Sequence, residues 1–167
     1  MQKKASCISF LGVCTALSLM LSYVDSQIPL FASFPGIRLG ISNLITVYLL
    51  YKFSPAVAFS VSCVRVLLSG MLFFGGAVHI AYGLCGAVLS ILTMLLTKRI
   101  GIFSVTGVSV SGALAHNAGQ IICAVLLTQT PQLVFYLPVL LIGGSVSGAL
   151  IGILSAIIQK KLTAAGF

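Results

Sequence analysis

The stretch HIAYGLCGAVLSILTMLLTKR, residues 79–99, decides how the rest of the chain is read. From His79 to Thr97 it contains no Lys, Arg, Asp or Glu, and Lys98 and Arg99 then stand side by side. An apolar run of that length suits a helix through the ~30 Å hydrocarbon core of a bilayer, which takes about 20 residues. The basic pair closes it at one end, and cytoplasmic ends of membrane helices are where Lys and Arg gather.

Reading outward from that run gives five more segments of the same kind. The first spans Ala5–Tyr23 behind Lys3 and Lys4, the second 37–51 ahead of Lys52, and the third 55–70 from Pro55, a good first-turn proline. The fourth is 79–97, the fifth 103–127, and the sixth 136–159 before Lys160 and Lys161. Threaded six times across a bilayer with both termini in the cytoplasm, the chain places Lys3, Lys4, Lys52, Lys98, Arg99, Lys160 and Lys161 on one side. The expected architecture is therefore all-α and integral to a bacterial cytoplasmic membrane, a single six-helix transmembrane domain over 1–167. The absence of a small-residue cleavage site after the first run marks it as a permanent helix.

Composition agrees. Of 167 residues, 59% are hydrophobic and 6% charged, against roughly 25% charged in soluble domains. The net charge of +8 comes in ones and twos at segment ends, not on the single face or stripe that a nucleic-acid binder presents. Cys7, Cys14, Cys63, Cys85 and Cys123 lie singly inside apolar runs, without metal-ligand spacing.

Small residues recur four apart: Gly12 and Ala16 in the first segment, Gly107 and Ser111 in the fifth, and Gly144, Gly148 and Gly152 in the sixth. Such spacing lets helix backbones approach closely in a membrane. Packing within the bundle accounts for it by default. Gly12 and Ala16 are in addition candidates for a face that docks a second membrane subunit.

The remaining polar residues collect in one leaflet. Arg65 falls ~15 Å along the third helix at 1.5 Å rise per residue, and His116 and Asn117 ~20 Å along the fifth. Gln120 lies beyond them and shares a face with His116. Arg38 opens the second helix, Asn43 follows within it, His79 opens the fourth, and Asp25 follows the first. An ionisable residue inside a span is costly and usually functional. A polar cavity open to the extracytoplasmic side results, with Arg65, His116, Asn117 and Gln120 as leading substrate-binding candidates. Arg38, Asn43, His79 and Asp25 are the second rank. Arg presents a planar fork suited to carboxylate or phosphate, so an anionic or acceptor-rich small molecule is the expected ligand. The competing explanations are interhelical hydrogen bonding for His116, Asn117, Gln120 and Asn43, headgroup contact for Arg38, an interfacial place for His79, and a solvated loop or pairing with Arg38 for Asp25. Interfacial anchoring also accounts for Phe31, Phe34, Phe73, Phe74 and Tyr82.

Catalysis is poorly served. Asp25 is the one acid of the sequence, so there is no carboxylate pair and no acidic cluster for Mg²⁺. Two histidines on different helices make no metal site, and no nucleotide or cofactor fingerprint appears. No acid lies within a span to couple protons, so uphill transport must draw on a partner.

The runs FPGIRLGISNLITVYLLY (34–51), RVLLSG (65–70), VSVSGALAHNAGQ (108–120) and YLPVLLIGG (136–144) resemble the Gx transporter family, also described as heptaprenyl diphosphate synthase component I. The resemblance covers nearly the whole chain. More distantly, six such helices and a proline-bearing segment before the second are similar to the substrate-binding S components of energy-coupling-factor (ECF) transporters. That resemblance implies capture of a substrate from outside, together with a transmembrane coupling subunit and cytoplasmic ATPases. In S components, small residues on the first helix face the coupling subunit, and Gly12 and Ala16 keep that spacing. The synthase description implies instead a non-catalytic membrane companion in polyprenyl diphosphate or isoprenoid-quinone metabolism, because one acid cannot supply aspartate-rich diphosphate motifs. A membrane anchor for a redox or flavin complex is the third alternative.

Overall fold

The computed structural model of the chain describes residues 2–27, 40–73 and 76–164, with the side chains of 8–27, 40–73 and 76–162. The described residues form six α-helices: α1 (Gln2–Gln27), α2 (Asn43–Lys52), α3 (Pro55–Leu72), α4 (Ala77–Ile100), α5 (Val105–Thr128) and α6 (Leu137–Ala164). A 3₁₀ turn, Pro131–Tyr136, leads into α6, and no strand occurs among the described residues. Five helices, all but α2, are long and apolar enough to cross a membrane.

Two expectations need correction. The first helix does not stop at Tyr23 but continues to Gln27, so Asp25 belongs to its last turn rather than to a loop. The second helix, expected over 37–51, begins at Asn43; residues 37–39 lie outside the described ones. Gly40 takes φ +65, a left-handed conformation that glycine reaches without steric cost. Its carbonyl accepts from Asn43 N–H at 2.8 Å, and Ile41 accepts from Leu44 N–H at 3.0 Å, so the chain turns before it coils. Ten helical residues rise ~15 Å, half a bilayer core.

Local chemistry fixes the other helix ends. Ser54 caps α3 by accepting from Val57 N–H at 3.3 Å, with Pro55 in the first turn. Ser104 caps α5 through Gly107 N–H at 3.3 Å, and Gly101 (φ +76) ends α4 in the left-handed conformation.

The helices pack in a closed succession, α2 on α3, α3 on α4, α4 on α5, α5 on α6 and α6 back on α2, with α1 laid against α3 and α2. Close approach depends on glycine. A Cβ on Gly119 of α5 would stand 2.8 Å from Cys85 O and 3.0 Å from Gly86 Cα on α4. Gly148 and Gly152 of α6 would place theirs 2.9 Å from Val110 Cα and 2.6 Å from Thr106 Cα on α5. The glycine row of the sixth helix is thus a packing face within the bundle. Gly107 and Ser111 lie along α5, where Ser111 Oγ meets Thr97 Oγ1 of α4 at 3.1 Å. Gly12 and Ala16 behave differently: both are exposed, and a Cβ on Gly12 would meet nothing within 4 Å.

Short α2 divides the interior into two halves. Val47, Leu49 and Leu50 are fully buried and meet Ala58 of α3, Ile91 and Met94 of α4 and Val108 of α5 in one cluster. In a lipid setting such a plug is held by dense contact rather than by exclusion of water. Lys98 locks the same end, donating to Leu50 O at 2.7 Å and sitting 4.4 Å from the Tyr51 ring centroid. Phe10 of α1 stacks on Phe53 at 5.5 Å, and Gln159 and Leu162 of α6 line a small cleft with Tyr51 and Lys52. The basic residues at the ends of α2, α4 and α6 therefore gather at one end of the bundle. The other half, where α2 is missing, is hollow.

Candidate functional site

The hollow half holds a cavity of about 430 Å³, within the 300–1,000 Å³ of ordinary small-molecule sites. Every helix contributes to it. α1 brings Ser22 and Asp25, the start of α2 brings Gly40, Ser42 and Asn43, and α3 brings Arg65 and Ser69. α4 adds His79 and Tyr82, α5 adds His116, Asn117 and Gln120, and α6 with its preceding turn adds Tyr136, Leu140 and Ser147.

Arg65 is the buried cation of the cavity. It is 8% exposed and is framed by hydroxyls from three elements. One guanidinium nitrogen, Nη1, donates to Ser42 Oγ at 2.6 Å and to Ser22 Oγ at 3.4 Å; Nη2 donates to Ser62 Oγ at 3.4 Å. These hydroxyls orient the fork. Ser42 precedes the first residue of α2, and a helix N-terminus carries a fractional positive charge of its own. Floor and arginine therefore favour an acceptor in the same place.

Asp25, expected as a candidate contact or a solvated loop acid, is buried at 6% exposure. Its Oδ2 accepts from Gly40 N–H at 3.0 Å. It thereby ties the end of α1 to the turn that opens α2. Ser18 Oγ adds a second tie to Ser42 O at 3.4 Å.

On α5 the roles separate. Asn117 Nδ2 donates to Leu140 O of α6 at 2.6 Å, so its amide joins two helices while flanking the cavity. A Cβ on Gly144 would lie 2.5 Å from that nitrogen, and the glycine makes room for the bond. His116 leans on Gly86 of α4, where a Cβ would come within 2.9 Å of imidazole Cε1 and Nδ1. Gln120, one turn further, faces the same space. His79 and Tyr82 stand at the rim with ring centroids 6.3 Å apart.

Seven of the eight residues singled out in the sequence thus come together on one cavity: Asp25, Asn43, Arg65, His79, His116, Asn117 and Gln120. Arg38 lies outside the described residues. Gly12 and Ala16 are away from the cavity on the exposed side of α1. Sequence reasoning missed the serines. A signal was present, since Ser18, Ser22 and Asp25 recur at four and three residues on one side of α1, and Ser62, Arg65 and Ser69 do so on α3. Tyr82, assigned to the membrane interface, is a wall residue. Among the described residues no group of three or more His, Cys, Asp or Glu could hold a metal ion.

A ring of apolar helices around a half-length one, plugged at the basic end and hollow at the other, defines a helical membrane-bundle protein with an internal polar cavity. The chain belongs to the family described as heptaprenyl diphosphate synthase component I, whose model matches residues 14–158. No curated protein matches the chain.

Proposed function

We propose that this chain is a non-catalytic membrane subunit that binds a small anionic or acceptor-rich molecule in the Arg65 cavity. The observation that carries the reading is a buried arginine, oriented by three serine hydroxyls, at the floor of a cavity of ligand size. An ionisable residue that lines a cavity inside a bundle of apolar helices marks a binding path. The plug of Val47, Leu49 and Leu50 beneath it supports a closed-ended binding site rather than an open pore. Asp25, the sole acid, is taken up by the Gly40 amide and leaves no carboxylate pair for catalysis.

Two settings suit such a subunit. The family description favours the first, a membrane companion of a prenyl diphosphate synthase whose other component supplies the metal-binding aspartates. The second is an S-component-like capture subunit of an ECF-type transporter. In it the lysine-bearing end and both termini are cytoplasmic, the cavity faces outward, and a coupling subunit with ATPases drives release. The position of the cavity at the end remote from the lysines favours this one, and the exposed Gly12–Ala16 face would meet the coupling subunit.

Affinity purification of the full chain from membranes in mild detergent separates the settings. A soluble prenyl diphosphate synthase recovered at stoichiometric level supports the first, and a coupling subunit with ATPases the second. Native mass spectrometry of the same sample tests the shared core of the proposal. Lipid-only spectra, identical for wild type and Arg65→Ala, would remove the binding role altogether.

A further inference from the structure

We propose that a second site lies at the basic end of the bundle, in the cleft between α2 and α6, and that it takes a phosphate group supplied by the headgroup of an anionic lipid. The cleft shares no lining residue with the Arg65 cavity and is separated from it by the plug of α2. The inference goes beyond the reading of that cavity and does not depend on it.

The lining supplies polar groups. Tyr48, Tyr51 and Lys52 come from the end of α2, and Gln159 and Leu162 from the end of α6. Tyr48 is nine-tenths buried, and a buried tyrosine hydroxyl ordinarily meets a hydrogen-bond partner. Among the described residues that hydroxyl makes no hydrogen bond, and the cleft is the opening that Tyr48 lines. Gln159 Nε2 is set against the wall by donating to Ser155 Oγ at 3.2 Å. Lys98 stands 4.4 Å from the Tyr51 ring centroid and holds that ring from the other side.

Charge is one-sided here. Lys52, Lys98, Arg99, Lys160 and Lys161 lie at the ends of α2, α4 and α6. Asp25, the sole acid, is tied to Gly40 beyond the plug. A helix C-terminus by itself repels an anion through its open carbonyls. At α2 that repulsion is reduced, because Leu49 O accepts from Phe53 N–H at 2.9 Å and Leu50 O from Lys98 at 2.7 Å. Basic pockets between membrane helices hold the phosphate headgroups of anionic lipids.

Size makes the occupant a group rather than a whole molecule. The cleft measures about 140 Å³, below the 300–1,000 Å³ of ordinary small-molecule sites. The rest of a lipid has a place beside it. Leu154 and Ile157 of α6 are about half exposed, and they offer acyl chains an apolar flank that a free ion would not use.

The test is native mass spectrometry of the full chain in mild detergent. Phosphatidylglycerol, diacylglycerol with the same acyl chains, or inorganic phosphate is added. Wild type is compared with Lys52→Gln, Tyr48→Phe and Lys161→Gln. Lys161 carries the same charge as Lys52 but lines no part of the cleft. The expected result is a one-to-one phosphatidylglycerol adduct on wild type and on Lys161→Gln, with no diacylglycerol adduct. Lys52→Gln and Tyr48→Phe each weaken it about tenfold, the scale of one lost hydrogen bond to a charged group. Tyr48→Phe keeps the buried ring, so it decides the question should Lys52→Gln not fold. Equal retention by every variant, or equal loss from Lys52→Gln and Lys161→Gln, overturns the site, because diffuse charge then accounts for the binding. Absence of any phosphate-bearing adduct overturns it too. Diacylglycerol held as well as phosphatidylglycerol overturns the recognition of phosphate. Inorganic phosphate bound with the same dependence on Tyr48 and Lys52, in place of the lipid, overturns the lipid as its source.

Discussion

Replacement of Gly119 by alanine adds one methyl group at the crossing of α4 and α5. Its neighbours there are all backbone: Cys85 O at 2.8 Å, Gly86 Cα at 3.0 Å and the Cys85 carbonyl carbon at 3.1 Å. None can rotate aside, so the crossing must open by about half an ångström to reach ordinary contact distance. Overpacking of this kind costs ~1–3 kcal/mol, and alanine returns up to ~1 kcal/mol of helix propensity. A net loss of about 1–2 kcal/mol is expected. Gly12→Ala provides the contrast, because a Cβ there meets nothing within 4 Å; its stability should be unchanged or up to ~1 kcal/mol higher. Reversible unfolding of both variants in mixed detergent micelles, followed by helical circular dichroism, measures the difference. Equal stabilities within ~0.5 kcal/mol would refute the claim that glycine sets the α4–α5 spacing. The effect should reach the cavity as well, since His116 lies one turn from Gly119 and rests on Gly86.

Three further outcomes follow from named contacts. Lys98→Met should cost about 1–2 kcal/mol by removing the hydrogen bond to Leu50 O and the contact with the Tyr51 ring; detergent unfolding of the pair reads it. Asp25→Leu should cost ~1–3 kcal/mol because the Gly40 N–H loses its acceptor, whereas Asp25→Asn, which keeps an oxygen there, should cost distinctly less. Equal losses would show that the carboxylate charge, not the amide bond, is what matters. Asn117→Leu should weaken the α5–α6 contact by roughly 0.6–2 kcal/mol through loss of the bond to Leu140 O, and protease resistance of the Gln129–Thr130 turn should fall with it.

Particular elements show how much the sequence carried. The fourth segment was legible to within two or three residues at each end, 79–97 against Ala77–Ile100, because a long apolar run ended by two cations has one comfortable place in a bilayer. The second segment was not. IRLGISNLITVYLLY (37–51) reads as one apolar helix, and only the positive φ at Gly40, supported by the turn bonds of Asn43 and Leu44, separates turn from helix. The polar residues were legible as a layer through simple arithmetic of rise per residue. Their partners were not, because which serine meets Arg65 depends on how three helices rotate about their axes. Ser22, Ser42 and Ser62 lie 43, 23 and 3 residues from it.

The sequence by itself determined the class of this protein: a chain of several apolar helices with its lysines at helix ends and Arg65, His116, Asn117 and Gln120 set inside the apolar segments. Those properties follow from the transfer of single residues between water and hydrocarbon, an energy that needs no neighbours. The tertiary structure decided the rest. It made the second helix half-length, buried its apolar body as a plug, left the space above it open, and turned Asp25 from a loop acid into an internal tie. Such outcomes depend on pairwise contact between distant segments, above all on the glycines that let α4, α5 and α6 approach at backbone distance.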